Sequence, residues 1–220
     1  MTDKHSENRY EQAREKMVRQ QLKRRGISDE RLLKAMGEVP RHEFVPPAAR
    51  SAAYSDRPLS IGAGQTISQP YMVAFMVEQL AAKPGDRILE VGAGSGYQAA
   101  ILAELAEEVY AMEYVPELAE NARATLKRLG YDNVHIITGD GSKGYAEAAP
   151  YNGIIVAAAA PEISPAWKEQ LAEGGRIVAP VGSRGSQTCV VAEMVGGQLQ
   201  TVSKLGCVFV PLLGEYGFGD

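Results

Sequence analysis

The stretch Leu89-Glu90-Val91-Gly92-Ala93-Gly94-Ser95-Gly96-Tyr97 constrains the fold more than any other part of this chain. A short apolar run, 87–91, breaks into three alternating glycines and then resumes with a helical period. Such a pattern predicts a strand, a tight loop and a helix start. Glycines give the loop access to positive φ and let a ligand lie against main-chain N–H groups. The first helical turn adds unpaired donors and a partial positive charge. A polar ligand at the carboxyl end of a strand is the expectation.

Strand and helix patterns then alternate. Strands are predicted over 87–91, 109–113, 134–138, 153–159 and 176–181, with helices over 97–107, 116–129 and 165–171. This predicts an α/β fold, a Rossmann-like doubly wound and mostly parallel sheet covered on both faces. After Gly182 the runs 188–195 and 199–210, joined near Gly196-Gly197, predict an antiparallel hairpin at one edge. Upstream lies a helical preface. The pattern over 9–25 puts Met17, Val18, Gln21 and Leu22 on one side and stops at Gly26, and Ser28 is expected to cap a second short helix. From Pro40 to Pro70 the periodicity dissolves into a loop-rich stretch too long for a plain connector, whose apolar anchors argue for order. Pro70 is expected to open a helix that Pro84-Gly85 ends.

With 220 residues, 45% of them hydrophobic, the chain can build one sizeable core. A net charge of -4 argues against a nucleic-acid track, and the basic residues from Lys16 to Arg25 share their segment with Glu7, Glu11 and Glu15, as on a solvated helix face. Cys189 and Cys207 have no C-x-x-C spacing and read as buried thiols. His5, His42 and His135 lack metal-ligand spacing, so no metal is expected and surface or packing roles are. The polar start, 1–8, has no signal-peptide core, and no apolar run approaches a membrane span, so a cytoplasmic protein is expected.

Glycine spacing narrows the ligand. Gly92, Gly94 and Gly96 run G-x-G-x-G after Glu90, whereas a dinucleotide fingerprint is G-x-G-x-x-G. The pattern E-x-G-x-G-x-G resembles motif I of the class I S-adenosylmethionine-dependent methyltransferases. Glu113 ends the next apolar run about 20 residues on, where an acid can accept both ribose hydroxyl protons.

The block Gly64-Gln65-Thr66-Ile67-Ser68-Gln69-Pro70-Tyr71-Met72-Val73-Ala74 resembles the signature of the protein-L-isoaspartate O-methyltransferases. With it come Val39-Pro40-Arg41-His42-Glu43-Phe44-Val45-Pro46, Gly139-Asp140-Gly141, Ala158-Ala159-Ala160-Pro161, Pro180-Val181-Gly182 and Val208-Phe209-Val210-Pro211-Leu212, in the family's order. The resemblance implies methyl transfer from S-adenosyl-L-methionine to the free α-carboxylate of L-isoaspartyl residues in damaged proteins and peptides. It implies no nucleic-acid or membrane partner, and a monomer is expected. By matching positions Ser68 is the active-site serine, and Thr66, Ile67 and Val208 join it in substrate binding. Gly92, Ala93, Gly94 and Gly96 form the cofactor loop, Glu113 holds the ribose, and Asp140 with Gly141 forms the adenine edge. Residues 1–84 then read as a helical, loop-rich substrate-binding extension and 85–220 as the cofactor-binding core, folded as one domain.

Tyr114 stands where the family commonly has Arg, Tyr145 where it favours Trp, Asn152 where it has Asp, and Ser60 where it has Pro. The loss of an acid at 152 is read as removing a charge near the cofactor side of the sheet. Other readings stay open: a methyltransferase with another acceptor, a non-catalytic cofactor-binding relative, or a nicotinamide-dependent oxidoreductase. For the favoured one the chemistry is simple. An α-carboxyl group, with a pKa roughly three units below neutral, is already ionised and needs no general base. Ser68 would orient a carboxylate oxygen by a hydrogen bond, and Glu90 would order the loop rather than move protons.

Overall fold

The computed structural model describes residues 4–218; the side chains of residues 4–6, His5 among them, and of Lys204 lie outside the description. Helix α1 (Lys4–Met17) begins earlier than its apolar pattern, continues through a π turn (Val18–Leu22) and a 3-10 turn (Lys23–Arg25), and stops at Gly26 with φ +98°. Helix α2 (Glu30–Glu38) buries Leu32, Leu33, Ala35 and Met36. Its cap is Asp29 and not Ser28: the Asp29 carboxylate accepts the Arg31 and Leu32 N–H groups at 2.8 and 3.1 Å. Ser28 instead donates its own backbone N–H to Glu78 Oε1 at 2.6 Å, which ties the preface to the next helix.

The loop-rich stretch is ordered. Two 3-10 segments (Arg41–Phe44 and Pro47–Ala52) lead to an antiparallel hairpin of β1 (Leu59–Gly62) and β2 (Gln65–Ile67). Leu59 and Ile67, paired across it, are buried, which fixes the register and leaves Ser60 and Thr66 on the other face. Helix α3 (Pro70–Leu80) ends well before Pro84-Gly85, because Ala81 adopts a left-handed conformation at φ +55°.

Strands β3 (Arg87–Val91), β4 (Glu108–Glu113), β5 (Val134–Thr138), β6 (Tyr151–Val156), β7 (Leu171–Ser183), β8 (Ser186–Val195) and β9 (Gln198–Cys207) form one sheet in the order β5-β4-β3-β6-β7-β8-β9. The first five are parallel and the last two antiparallel, as the sequence predicts, with the β8–β9 turn at Gly196-Gly197. Helices α4 (Tyr97–Ala103), α5 (Pro116–Leu129) and α6 (Pro165–Gln170) complete the alternation. The central strand β3 buries Ile88, Leu89, Glu90 and Val91, with apolar clusters on both faces. Two readings are corrected here. Asn152 opens β6 and accepts the Arg87 backbone N–H at 2.9 Å, so it lies at the amino ends of the parallel strands, opposite the glycine loop, and no charge is lost from the cofactor side. Cys189 is buried, but Cys207 is only partly so.

Truncation of the α2 cap tests its reassignment. Asp29→Ala is expected to cost about 1 kcal/mol in denaturant unfolding, and Ser28→Ala less than about half of that, because the Ser28 contribution is mainly its backbone.

Candidate active site

The sheet order makes the carboxyl end of β3 a switch point: from β3 the chain runs through β4 to β5, then crosses back to β6 on the other side. A crevice opens there, and the glycine loop lines it. Gly92, Gly94 and Gly96 have φ of +90°, +54° and +84°. The Gly92 and Ala93 N–H groups both donate to Met112 O, and Ala157 N–H donates to Val91 O, so main-chain bonds hold both walls. A Cβ on Gly94 would stand 3.4 Å from Ile61 Cδ1, which shows how closely the hairpin lies against the loop.

Two cavities meet at this place. The first is lined by the loop residues Gly92–Ser95, by Glu90, Tyr97, Gln98, Glu113, Tyr114 and Gly141, and by Thr66, Ile67 and Ser68. The second is a groove between Tyr71, Met72, Leu205, Cys207, Val208 and Phe209, with Arg25 also in its lining. Thr66, Ser68, Ala157 and Val210 line both. The C-terminal segment forms the shared wall through bonds to the end of β6: Ala159 N–H donates to Val210 O, and Leu212 N–H to Ala159 O, each at 2.7 Å.

The predicted residues divide as follows. Ser68 is half-buried, does not cap α3, and leaves its hydroxyl unengaged by protein groups among the described residues; its carbonyl accepts from Arg41 at 2.7 Å. Thr66 is exposed, Ile67 buried, and Val208 76% exposed at the outer lip of the groove. Glu113 accepts Gly94 N–H on one oxygen at 2.7 Å and Val115 N–H on the other at 2.9 Å. A carboxylate oxygen has room for a second donor, so both stay available to a diol. Asp140 stands apart from the cavity lining: its carboxylate accepts from the Ser142 backbone and hydroxyl and from Glu215 N–H. Burial pulls its pKa up, and the opposing hydrogen bonds, with Lys143 nearby, together hold it below the usual value. Gly141 does face the cavity, where a Cβ would stand 2.8 Å from Val91 Cγ1; its carbonyl is held by Trp167 Nε1 at 2.9 Å.

Sequence reasoning passed over Gln98, Tyr97 and the wall from Val210 to Leu213, because their helical or apolar pattern reads as core. His42 is buried, stacked on Tyr10 at 3.9 Å and bonded to Tyr54 Oη at 2.8 Å, and His135 stacks on Tyr110 at 4.7 Å, so both have packing partners. Among the described residues no cluster of His, Cys, Asp and Glu has the make-up of a metal site.

Glu90 is the most unusual group of the site. It is fully buried; Oε1 accepts from Gln98 Nε2 at 2.9 Å, and Oε2 lacks a partner. Burial raises its pKa to about 8, the Gln98 bond opposes this, and Glu113 adds to it. Glu90 is therefore held mainly in its neutral form at neutral pH. Between the unfolded value near 4.5 and about 8 the unfolded chain releases this proton and the folded chain keeps it, so stability falls as pH rises through that window. Glu90→Gln, which stays neutral, is expected to remove that slope and to be more stable than the parent at pH 8 by at least about 1 kcal/mol, read from urea unfolding across pH 5–8.

Comparison with known proteins agrees with this geometry. A family model for Protein-L-isoaspartate(D-aspartate) O-methyltransferase matches residues 12–217. A protein-L-isoaspartate O-methyltransferase of Methanoculleus marisnigri is 51% identical over 205 residues, 93% of each chain. A solved structure of a protein-L-isoaspartate O-methyltransferase superposes with a TM-score of 0.84 at 34% identity, covering 93% of this chain and 67% of that one. Another, described as a protein-L-isoaspartate O-methyltransferase of Plasmodium falciparum in complex with S-adenosyl-L-homocysteine, has a TM-score of 0.77 at 27% identity and covers 90% of this chain and 97% of that one. On these matches, which span the glycine loop and the hairpin alike, the chain belongs to the protein-L-isoaspartate O-methyltransferase family.

Proposed function

We propose that this chain repairs damaged proteins and peptides by transferring a methyl group from S-adenosyl-L-methionine to the free α-carboxylate of an L-isoaspartyl residue. The observation that carries the reading is the meeting of two cavities at Thr66, Ser68, Ala157 and Val210, one backed by the glycine loop and Glu113, the other a groove between Tyr71, Met72 and the segment from Leu205 to Phe209. A group-transfer enzyme needs its donor and acceptor sites to share a wall. Family membership and the S-adenosyl-L-homocysteine complex of the Plasmodium protein support the donor's identity. So does the donor set on the page. Glu113 suits a diol, the orphaned Oε2 of the neutral Glu90 carboxyl a polar group able to take its hydrogen bond, and the turn at Gly141 a flat ring edge.

When bound, S-adenosyl-L-methionine supplies a methyl group activated by a positively charged sulfur. The acceptor carboxylate oxygen forms the new bond to carbon, the carbon–sulfur bond breaks, and its electron pair stays on sulfur, so no proton moves. The protein's work is placement. The glycine loop and Glu113 hold the donor, Thr66 and Ile67 shape the acceptor loop, and the free Ser68 hydroxyl donates to the carboxylate. Val208 and the groove behind it receive the peptide chain. Well-oriented partners gain on the order of 7 to 11 kcal/mol in barrier, which is why positioning suffices without a base. In this reading the extension up to residue 84, joined by the segment from Leu205 to Phe209, furnishes the acceptor side, and the glycine loop with Glu113 and Gly141 the donor side, within one monomeric folded unit.

Labelled S-adenosyl-L-methionine offered with peptides that differ only in an aspartyl or isoaspartyl linkage tests the assignment: label is expected on the isoaspartyl peptide alone, and equal labelling of both, or of neither, overturns it. Ser68→Ala is expected to lower methyl transfer by about tenfold to a hundredfold, the worth of a hydrogen bond to a charged group, while S-adenosyl-L-homocysteine binds as before. Unchanged turnover would remove Ser68 from the mechanism.

A further inference from the structure

The segment from Val39 to Pro46 plays no part in the steps above, yet it buries a guanidinium directly behind the acceptor loop. Arg41 is fully buried. Its Nε donates to Ala53 O and its Nη2 to Ser68 O, each at 2.7 Å, while Nη1 has no partner. The guanidinium lies 4.8 Å from the ring centroid of Tyr97, the residue that follows the glycine loop and lines the donor cavity. One side chain therefore touches both halves of the site.

Its charge is not cancelled by an ion pair among the described residues. Asp56, the carboxylate whose field reaches Arg41, is already 2.5 Å from Arg25 Nη1 and accepts the Tyr71 N–H at 3.0 Å. Asp56 is thus engaged by Arg25 and does not pair with Arg41. An arginine cannot shed its charge by losing a proton. Burying it without a carboxylate is costly, and an anion across the loop would offset part of that cost through the field alone, since Arg41 lines neither cavity. The ligand side of the loop is where Ser68 presents its free hydroxyl.

We propose that Arg41 is a positioning residue for the methyl acceptor: it clamps the Ser68 backbone to the Tyr97 helix and supplies, from behind the loop, the positive charge that favours an anionic acceptor group over a neutral one. This rests on the acceptor reading above.

The test compares an isoaspartyl peptide carrying the free α-carboxylate with the same peptide carrying an α-carboxamide. Binding of each is measured by fluorescence polarisation in the presence of S-adenosyl-L-homocysteine. The parent protein is expected to favour the carboxylate by about tenfold or more, with a preference that changes less than about twofold between low and high salt, because a buried charge is screened little. Arg41→Gln is expected to bring the preference below about threefold while the affinity for S-adenosyl-L-homocysteine holds, whereas a loss of folding alone would weaken both peptides alike. Arg41→Lys keeps the charge but not the fork, so it should retain the preference and lose about tenfold in kcat. If Arg41→Gln does not fold, the salt series on the parent protein and Arg41→Lys decide. A preference that high salt erases, one that Arg25→Gln abolishes, or an Arg41→Lys protein without preference overturns the proposal. The two readings fail separately: a parent protein that labels no isoaspartyl peptide defeats the assigned reaction, and one that labels it while Arg41→Gln keeps the full preference defeats only the role of Arg41.

Discussion

The structure depends on the way the chain leaves the carboxyl end of β3. Because β4 and β6 flank β3 and their connections depart in opposite directions, the sheet cannot close over this point, and a crevice is left that main-chain groups must line. Bonds from Gly92, Ala93 and Ala157 satisfy the strand ends on both sides, and the glycine loop turns between them into α4. At Gly92, Gly94 and Gly96 the turn takes positive φ values that a side chain would strain. Everything else at the site is delivered to this crevice from further away in sequence: the hairpin of β1 and β2 from before the sheet, and the segment from Val208 to Leu213 from after it.

Legibility follows from how local the cause of each feature is. The alternation of strands and helices rests on periodic apolar positions, so the order of elements and the antiparallel edge could be read directly. The helix stop at Ala81 could not, because alanine carries no mark of the left-handed conformation it adopts there. Ser28 and Asp29 are both good caps by type, and only the Glu78 carboxylate, which takes the Ser28 N–H, decides between them. Asn152 reads as adjacent to the ligand only if strand direction is ignored; at the amino end of a parallel strand it faces the opposite rim.

The candidate site shows the same divide. Gly92, Gly94, Gly96 and Glu113 are bound together by spacing along one strand–helix–strand unit, which sequence shows. Arg41 is bound to Ser68 and Tyr97 only through space, which no spacing along the chain shows. Asp140 is the converse case. Its place after a strand suggests a ligand contact; the structure shows the carboxylate capping its own turn through Oδ1 and holding the C-terminal segment at Glu215 through Oδ2, outside the cavity lining. That segment in turn supplies the wall common to both cavities, so Asp140 acts on the site through the backbone it anchors.

Charge is distributed across the crevice in a way that suits the proposed reaction. The Glu113 carboxylate lies on the donor side beside the neutral Glu90 carboxyl, and guanidinium groups, Arg25 and Arg41, lie on the acceptor side. A cationic donor and an anionic acceptor are each drawn to the matching half, and both lose water as they enter. Methyl transfer consumes one charge of each sign, so the products meet the same fixed groups without the attraction that brought the reactants in. Binding is thus strongest for the pair that can react, and weaker for the pair that must leave. No proton has to be shuttled for this cycle, which is consistent with a site lined by no histidine among the described residues, whose one strongly displaced acid, Glu90, is buried against Gln98.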